Sequence, residues 1–194
     1  MSSTRLENTL AAIDALNQQD PNSEICDGQA QPKEWLYGQR MSRQLAQFDP
    51  QAPEVLQIAA RAQHIQRWKI PRDAYPKTKP GYKQWRTELG KMHAETTAEL
   101  MAEQGYSEEE QARVKQLLTK TKLKADPQVQ ALEDVICLVF LEHYLEGFAA
   151  GHERDKLISI IQKTWRKMSA KGHEHALQLP LSESNLALVK DALA

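Results

Sequence analysis

Two of the six histidines in this chain, His64 and His93, flank its most basic stretch. An imidazole near neutral pH serves as a metal ligand, a general base or a phosphate contact, and two of them beside a cationic loop are the first candidates for chemistry. The other function-bearing signal is a carboxylate pair, Glu133 and Asp134, entering the most apolar run of the sequence, VICLVFLEHY. A buried carboxylate without a partner costs several kcal/mol, so it meets a cation, a metal or several hydrogen-bond donors. One reading gives Asp134 a ligand or pocket role. The other leaves one of the pair on the outer side of its helix, capping a neighbour. His143 and the pair His173 and His175 are weaker candidates, the last two because positions i and i+2 diverge on a helix.

The basic stretch runs over residues 61–91. Nine Lys/Arg there outnumber Asp73 and Glu88, a local +7 in a chain of net charge −1, so the remainder carries −8. Arg61, Arg67, Lys69 and Arg72 interleave with Trp68, Tyr75, Tyr82 and Trp85. Arg and Lys bind phosphate by charge and fork geometry, and aromatic faces stack a base. The plainer reading makes Trp85 core, with cationic stems laid over it. An anionic partner at one face is the expectation.

The elements that must position these residues read as helices. Thr4-x-x-Glu7 has the form of a capping box ahead of Leu6, Leu10, Ile13 and Leu16. Residues 20–32 read as a long irregular loop. A second helix from about Pro32 buries Tyr37, Met41, Leu45 and Phe48, and Asp49-Pro50 breaks it. A third opens at Pro53, with Val55, Ile58, Ala59 and Ala62 on one face and Gln57, Arg61, His64 and Trp68 opposite. A Pro-rich basic connection, residues 69–80, leads to a fourth helix from about Pro80 to Gln104, striped by Trp85, Leu89, Met92 and Leu100, with His93 at the stripe's edge. Gly105 ends it and Ser107-x-x-Glu110 caps the next, which buries Val114, Leu117 and Leu118. Asp126-Pro127 starts a central helix, ALEDVICLVFLEHYLEGFAAG, apolar nearly all round. Helices from Arg154 to Met168 and from Ser182 complete the set. No useful strand alternation or repeat is present. The expectation is one all-α domain, residues 1–194, of about seven or eight helices.

Composition excludes several classes. A net charge of −1 provides no global field for nucleic acid or membrane. No P-loop, dinucleotide glycine fingerprint, zinc-protease helix motif or nucleophile elbow occurs. The N-terminus lacks an apolar signal region, the most apolar run is too short and too charged to span a bilayer, and Cys26 and Cys137 are far apart. A reduced, cytoplasmic protein is expected.

Several phrases resemble known families. PKEWLYGQRM, ARAQHIQRWKIPR and LEDVICLVFLEHY resemble the bacterial and fungal family catalogued as domain of unknown function 4202, over nearly the whole chain. At pattern level, IAARAQHIQRW resembles the metal-binding "AALLHDIG" helix of HD-domain proteins, placing His64 on its His. KMHAETTAELMAEQGYSEEEQARVKQLL resembles the next segment, placing His93, and ALEDVICLVFLEHY the later helix, placing Asp134. LYGQRMSRQL resembles the opening "HSLRVA" segment, with Arg40 on its Arg. The opening His is Tyr37 here, and the Asp of the dyad is Ile65. What the resemblance implies is an HD-like pocket around His64, His93 and Asp134, with Tyr37 in the same core and Arg40 near its mouth. Three such ligands with open positions suit one divalent ion.

Two functions follow as expectations. One is a metal-dependent hydrolase or oxygenase acting on a phosphorylated or nucleotide-like compound, with His64, His93 and Asp134 catalytic and Arg40, Arg61, Arg67, Lys69 and Arg72 holding the anion. The alternative is a non-catalytic module with a degenerate metal site that binds an anionic ligand or RNA.

Overall fold

The computed structural model describes residues 4–121 and 125–194, which group into two compact units, Met1–Lys122 and Leu123–Ala194. Ten α-helices lie among the described residues, more than the periodicity predicts. None of them is long and apolar enough to cross a membrane.

In the first unit, α1 (Thr4–Asn17), α2 (Lys33–Phe48), α3 (Glu54–Arg61), α4 (Lys79–Glu103) and α5 (Glu108–Leu118) enclose one core. Ile13, Met41, Leu45, Leu56, Ile58, Met101 and Leu117 are fully buried in it. Of the four apolar positions expected to face inward from α1, Leu6 and Ile13 are buried, whereas Leu10 and Leu16 are half-buried. Thr4 is already helical rather than a cap. The four residues expected on the buried face of α2, including Tyr37, are buried. The capping box at the start of α5 is complete: Ser107 Oγ accepts from Glu110 N, and the Glu110 carboxylate accepts from Ser107 N at 2.8 Å. That same carboxylate takes Arg5, which also reaches Glu54 at 3.1 Å, so α1, α3 and α5 are tied at one end.

The segment expected to be an irregular loop contains a small hairpin. Strands β1 (Ser23–Cys26) and β2 (Gln29–Pro32) pair antiparallel, Cys26 opposite Gln29. The turn is Asp27-Gly28, with φ of 50° and 76°. Positive φ at both central residues matches the twist of a two-residue hairpin, and an Asp-Gly pair accepts it at low cost. The strands are short and polar, which hides their alternation.

In the second unit, α6 (Pro127–Val139) is capped by Asp126 and runs through a π-helical turn, Phe140–Tyr144, into α7 (Leu145–Ala149). The long apolar run is therefore helical throughout, with an underwound middle. It packs on α8 (Arg154–Lys167) and on α9 (Ala170–Ala176), and α10 (Glu183–Leu193) lies against α8. The short α9 lies in KGHEHAL, where a mid-helix glycine weakens any helical signal.

Candidate functional site: a buried histidine pair at a cationic cavity

His64 reaches its place because α3 stops early. Helical periodicity continues through Trp68, yet the helix ends at Arg61. Gln66 takes a left-handed backbone, φ 50°, and donates its N–H to the Asn17 side chain at 2.9 Å. The i−4 ladder has by then given way to i−3 bonds at Gln63 and Ile65, and the buried Asn17 side chain at the end of α1 holds the turn that follows α3. His64 thus sits on a turn, not on a long helix as expected.

The ring is held on several sides. Tyr37 stacks on it with centroids 3.8 Å apart and planes 11° apart. Nδ1 lies 3.0 Å from Glu34 Oε2. Arg67 Nη1 is 3.3 Å from Nδ1 and 3.2 Å from Nε2, and equal separation puts it off the axis of either lone pair, over the ring face that Tyr37 leaves open. The Arg67 guanidinium also lies 5.1 Å from the centre of the Trp85 ring.

Glu34 comes from the first turn of α2. Pro32 offers that helix no side-chain cap, and Asp20 Oδ2 accepts the Glu34 N–H at 3.0 Å instead. Burial raises the Glu34 pKa, with Arg67 and Lys33 opposing. Burial lowers that of His64 well below the ordinary imidazole value, and Arg67, Arg86, Lys120 and Lys33 lower it further. Each member of this contact is driven toward its neutral form.

His93 comes from α4. The buried face of that helix holds Trp85, Leu89, His93, Thr97 and Met101, while Met92 and Leu100 are only half-buried. The apolar stripe is therefore rotated from the expected one, and His93 lies at its centre, 4% exposed. Its ring centroid is 6.4 Å from that of His64. Burial again lowers its pKa well below the ordinary value, aided by His64, Arg67 and Arg86. Its Nε2 is buried with no hydrogen-bond partner among the described residues, and the same holds for Gln63 Oε1.

Both orphaned atoms belong to residues lining one cavity of about 310 Å³ in the first unit. His64, Arg86, Lys91 and Lys120 line it as well. Arg86 makes no ion pair among the described residues. A buried polar atom left without a partner costs free energy, and a cavity of this size with three cations at its wall is a place where a polar, negatively charged molecule would recover it.

Arg67 is the one expected anion-binding residue that touches the histidine pair. Arg40 pairs with Glu24 of the hairpin at 2.6 Å, and Arg61 with Asp14 at 2.7 Å and with Ser42 Oγ at 2.7 Å. Arg72 donates to the carbonyls of Tyr75 and Pro76. Lys69 is exposed on a 3-10 turn. These four do not line the cavity. Trp85 is core, donating its Nε1–H to Ile70 O at 2.8 Å.

Asp134 belongs to the second unit, where its carboxylate is fully engaged. It accepts from Ser169 N at 2.7 Å, from Ser169 Oγ and from Gln130 Nε2 at 3.1 Å. It thereby holds the cap of α9, as the second reading has it, but from a buried position rather than the outer side of its helix. Glu133 faces Lys167 at 3.7 Å. His173 stacks on Trp165 at 4.2 Å and bonds its carbonyl, a structural role. Among the described residues, no three His, Cys, Asp or Glu side chains are grouped to hold a metal ion. His64 and His93 lie in the first unit and Asp134 in the second, where both of its carboxylate oxygens are engaged by Ser169.

Glu34 and Gln63 are the site residues that the sequence reading misses, while Arg86 belongs to the expected basic stretch without being among the residues expected to hold the anion. None carries a local signal: each looks like an ordinary polar helix residue until tertiary packing brings it beside the histidines.

The fold and site define a class: a predominantly helical protein whose first unit presents two imidazoles, His93 buried and His64 half-buried, to a small cationic cavity. The chain belongs to the family described as domain of unknown function 4202 (DUF4202), whose model matches residues 7–189. No curated protein and no solved structure matches the sequence.

Proposed function

We propose that the first unit binds a compact anionic molecule, with a phosphorylated compound the best fit, in the cavity between His93 and the cations Arg86, Lys91 and Lys120. The observation that carries this reading is the buried, unpartnered Nε2 of His93, a residue lining a cavity where burial, aided by the surrounding cations, disfavours the charged form of both imidazoles. An anion entering there relieves the cationic field and supplies a hydrogen-bond partner at once. The two free thiols, Cys26 and Cys137, agree with a reducing, cytoplasmic setting.

A second reading, hydrolysis of that compound, draws on the Glu34–His64 contact. Glu34 at Nδ1 orients the imidazole, and in the tautomer whose Nδ1–H donates to Glu34 the Nε2 is free to act as base in the cavity that His64 lines. The reading needs no metal.

Thermal unfolding with inorganic phosphate, phosphomonoesters, nucleotides and short RNA tests the proposal. Stabilisation by small phosphates is expected, and it weakens as salt rises. Arg86→Ala combined with Lys91→Ala should cut affinity by about tenfold to a hundredfold, on the order of one charge-assisted contact per residue. His64→Gln should leave most of the binding and, under the second reading, abolish turnover. Stabilisation by RNA alone would move the ligand from the cavity to the exposed basic face. No shift with any anion would overturn the proposal.

A further inference from the structure

Resting on that reading, we infer that the ligand is a hydroxyl-bearing phosphate of about the size of a pentose phosphate, and that Gln63 selects for the hydroxyl. Gln63 follows the end of α3 and is 5% exposed, and its amide oxygen has no hydrogen-bond partner among the described residues. An amide oxygen only accepts, so it needs an O–H or N–H from whatever fills the cavity. A fully ionised phosphate has none to offer. The cations Arg86 and Lys91 at the same cavity call for the opposite chemistry, a group that accepts. One ligand meeting both demands carries an anionic group and a donor on the same small frame.

His93 narrows the choice. Its Nε2 donates in one neutral tautomer and accepts in the other. A hydroxyl is the group that answers either state, being donor and acceptor at once. The cavity, about 310 Å³, lies at the small end of ligand pockets and suits a sugar phosphate better than a longer oligonucleotide. Selection then follows from the cost of leaving Gln63 Oε1 unpartnered. An analogue with the phosphate but no hydroxyl keeps the charge contacts and leaves the amide oxygen buried and unpaired.

Calorimetric titration of the full chain with ribose 5-phosphate, propyl phosphate, inorganic phosphate and free ribose tests this. Ribose 5-phosphate should bind at least about tenfold more tightly than propyl phosphate, and free ribose should not bind measurably, since the charge contacts supply most of the affinity. Gln63→Met keeps the side-chain length and removes the acceptor. It should bring the ratio of the two phosphates toward one, chiefly by weakening ribose 5-phosphate. Equal binding of the two phosphates to the native chain would overturn the inference while leaving the anion site standing. So would a ratio that persists in a folded Gln63→Met chain. If Gln63→Met does not fold, the native-chain comparison alone decides. Absence of binding by every phosphate removes the underlying reading and the inference together.

Discussion

Acidification from pH 7 toward pH 5.5 should destabilise this protein steeply, and replacing His64 and His93 should flatten the slope. Burial is the leading cause that holds both imidazoles well below the ordinary value of 6.5. In the unfolded chain each takes up a proton as the pH falls through about 6.5, whereas in the folded chain it stays neutral to lower pH. The unfolded state then binds more protons, so stability present above that value is lost as pH falls. Each group contributes up to about 1.4 kcal/mol per pH unit, or about 2–3 kcal/mol per unit for the pair. Glu34 works the other way, because its raised pKa lets the folded state take a proton first on acidification, which offsets part of the loss. Carboxylates held below their ordinary value, Glu88 and Glu110, lose their contribution only at lower pH. Urea unfolding at several pH values, for the native chain and for His64→Gln with His93→Gln, measures the slope. A native chain equally stable at pH 7 and pH 5.5 would contradict the assignment of two buried neutral imidazoles.

The other large effect lies in the second unit, at Gly172. Helix propensity alone predicts that Gly172→Ala within α9 stabilises by up to about 1 kcal/mol. The packing predicts the reverse. A Cβ there would lie 2.7 Å from Asp134 Oδ1 and 2.8 Å from its Cγ, far inside contact distance. The carboxylate cannot swing away without abandoning Ser169. The expected result is a loss of about 2 kcal/mol, which lowers the melting temperature by about 4–8 °C in a chain of this size. Asp134→Ala should cost about 1–3 kcal/mol by stripping the cap of α9. In that background Gly172→Ala should lose its penalty, because the clashing atoms are gone. Additive costs in the double variant, or a stabilising Gly172→Ala, would show that Asp134 does not grip α9 in this way.

Much of this architecture is legible because helix ends carry local chemistry. Ser107, Asp126 and Ser182 occupy the caps that their side chains predict, and Pro53 and Pro32 stand where their fixed φ allows a helix to begin. What is not local is not legible. The turn that follows α3 is held by Asn17, 49 residues away from Gln66 in the chain, and no pattern within AARAQHIQ announces it. The rotated face of α4 follows from polar residues, His93 and Thr97, being buried where periodicity counts only apolar ones. The cationic residues misled in the same way. Arg40 and Arg61 look like anion ligands in sequence, yet each had an acidic partner, Glu24 and Asp14, waiting on another element. Arg86, with no acidic partner among the described residues, lines the cavity. Tyr37 was legible as a core residue, and its stacking on His64 explains its burial without any metal. Asp134 was legible as a buried carboxylate that must be satisfied; whether by an ion or by a helix cap is a tertiary fact.

The central claim is that an anion enters the cavity beside His93. The most direct measurement is imidazole ¹⁵N NMR of the native chain, with His93→Gln used to assign the resonance, during titration with ribose 5-phosphate and with inorganic phosphate. The account predicts that the His93 signal moves saturably with added phosphate, toward greater protonation, because the anion offsets the field of Arg86 and its neighbours. A His93 resonance that stays fixed while the anion saturates its effect on thermal stability would place the anion elsewhere and contradict the account.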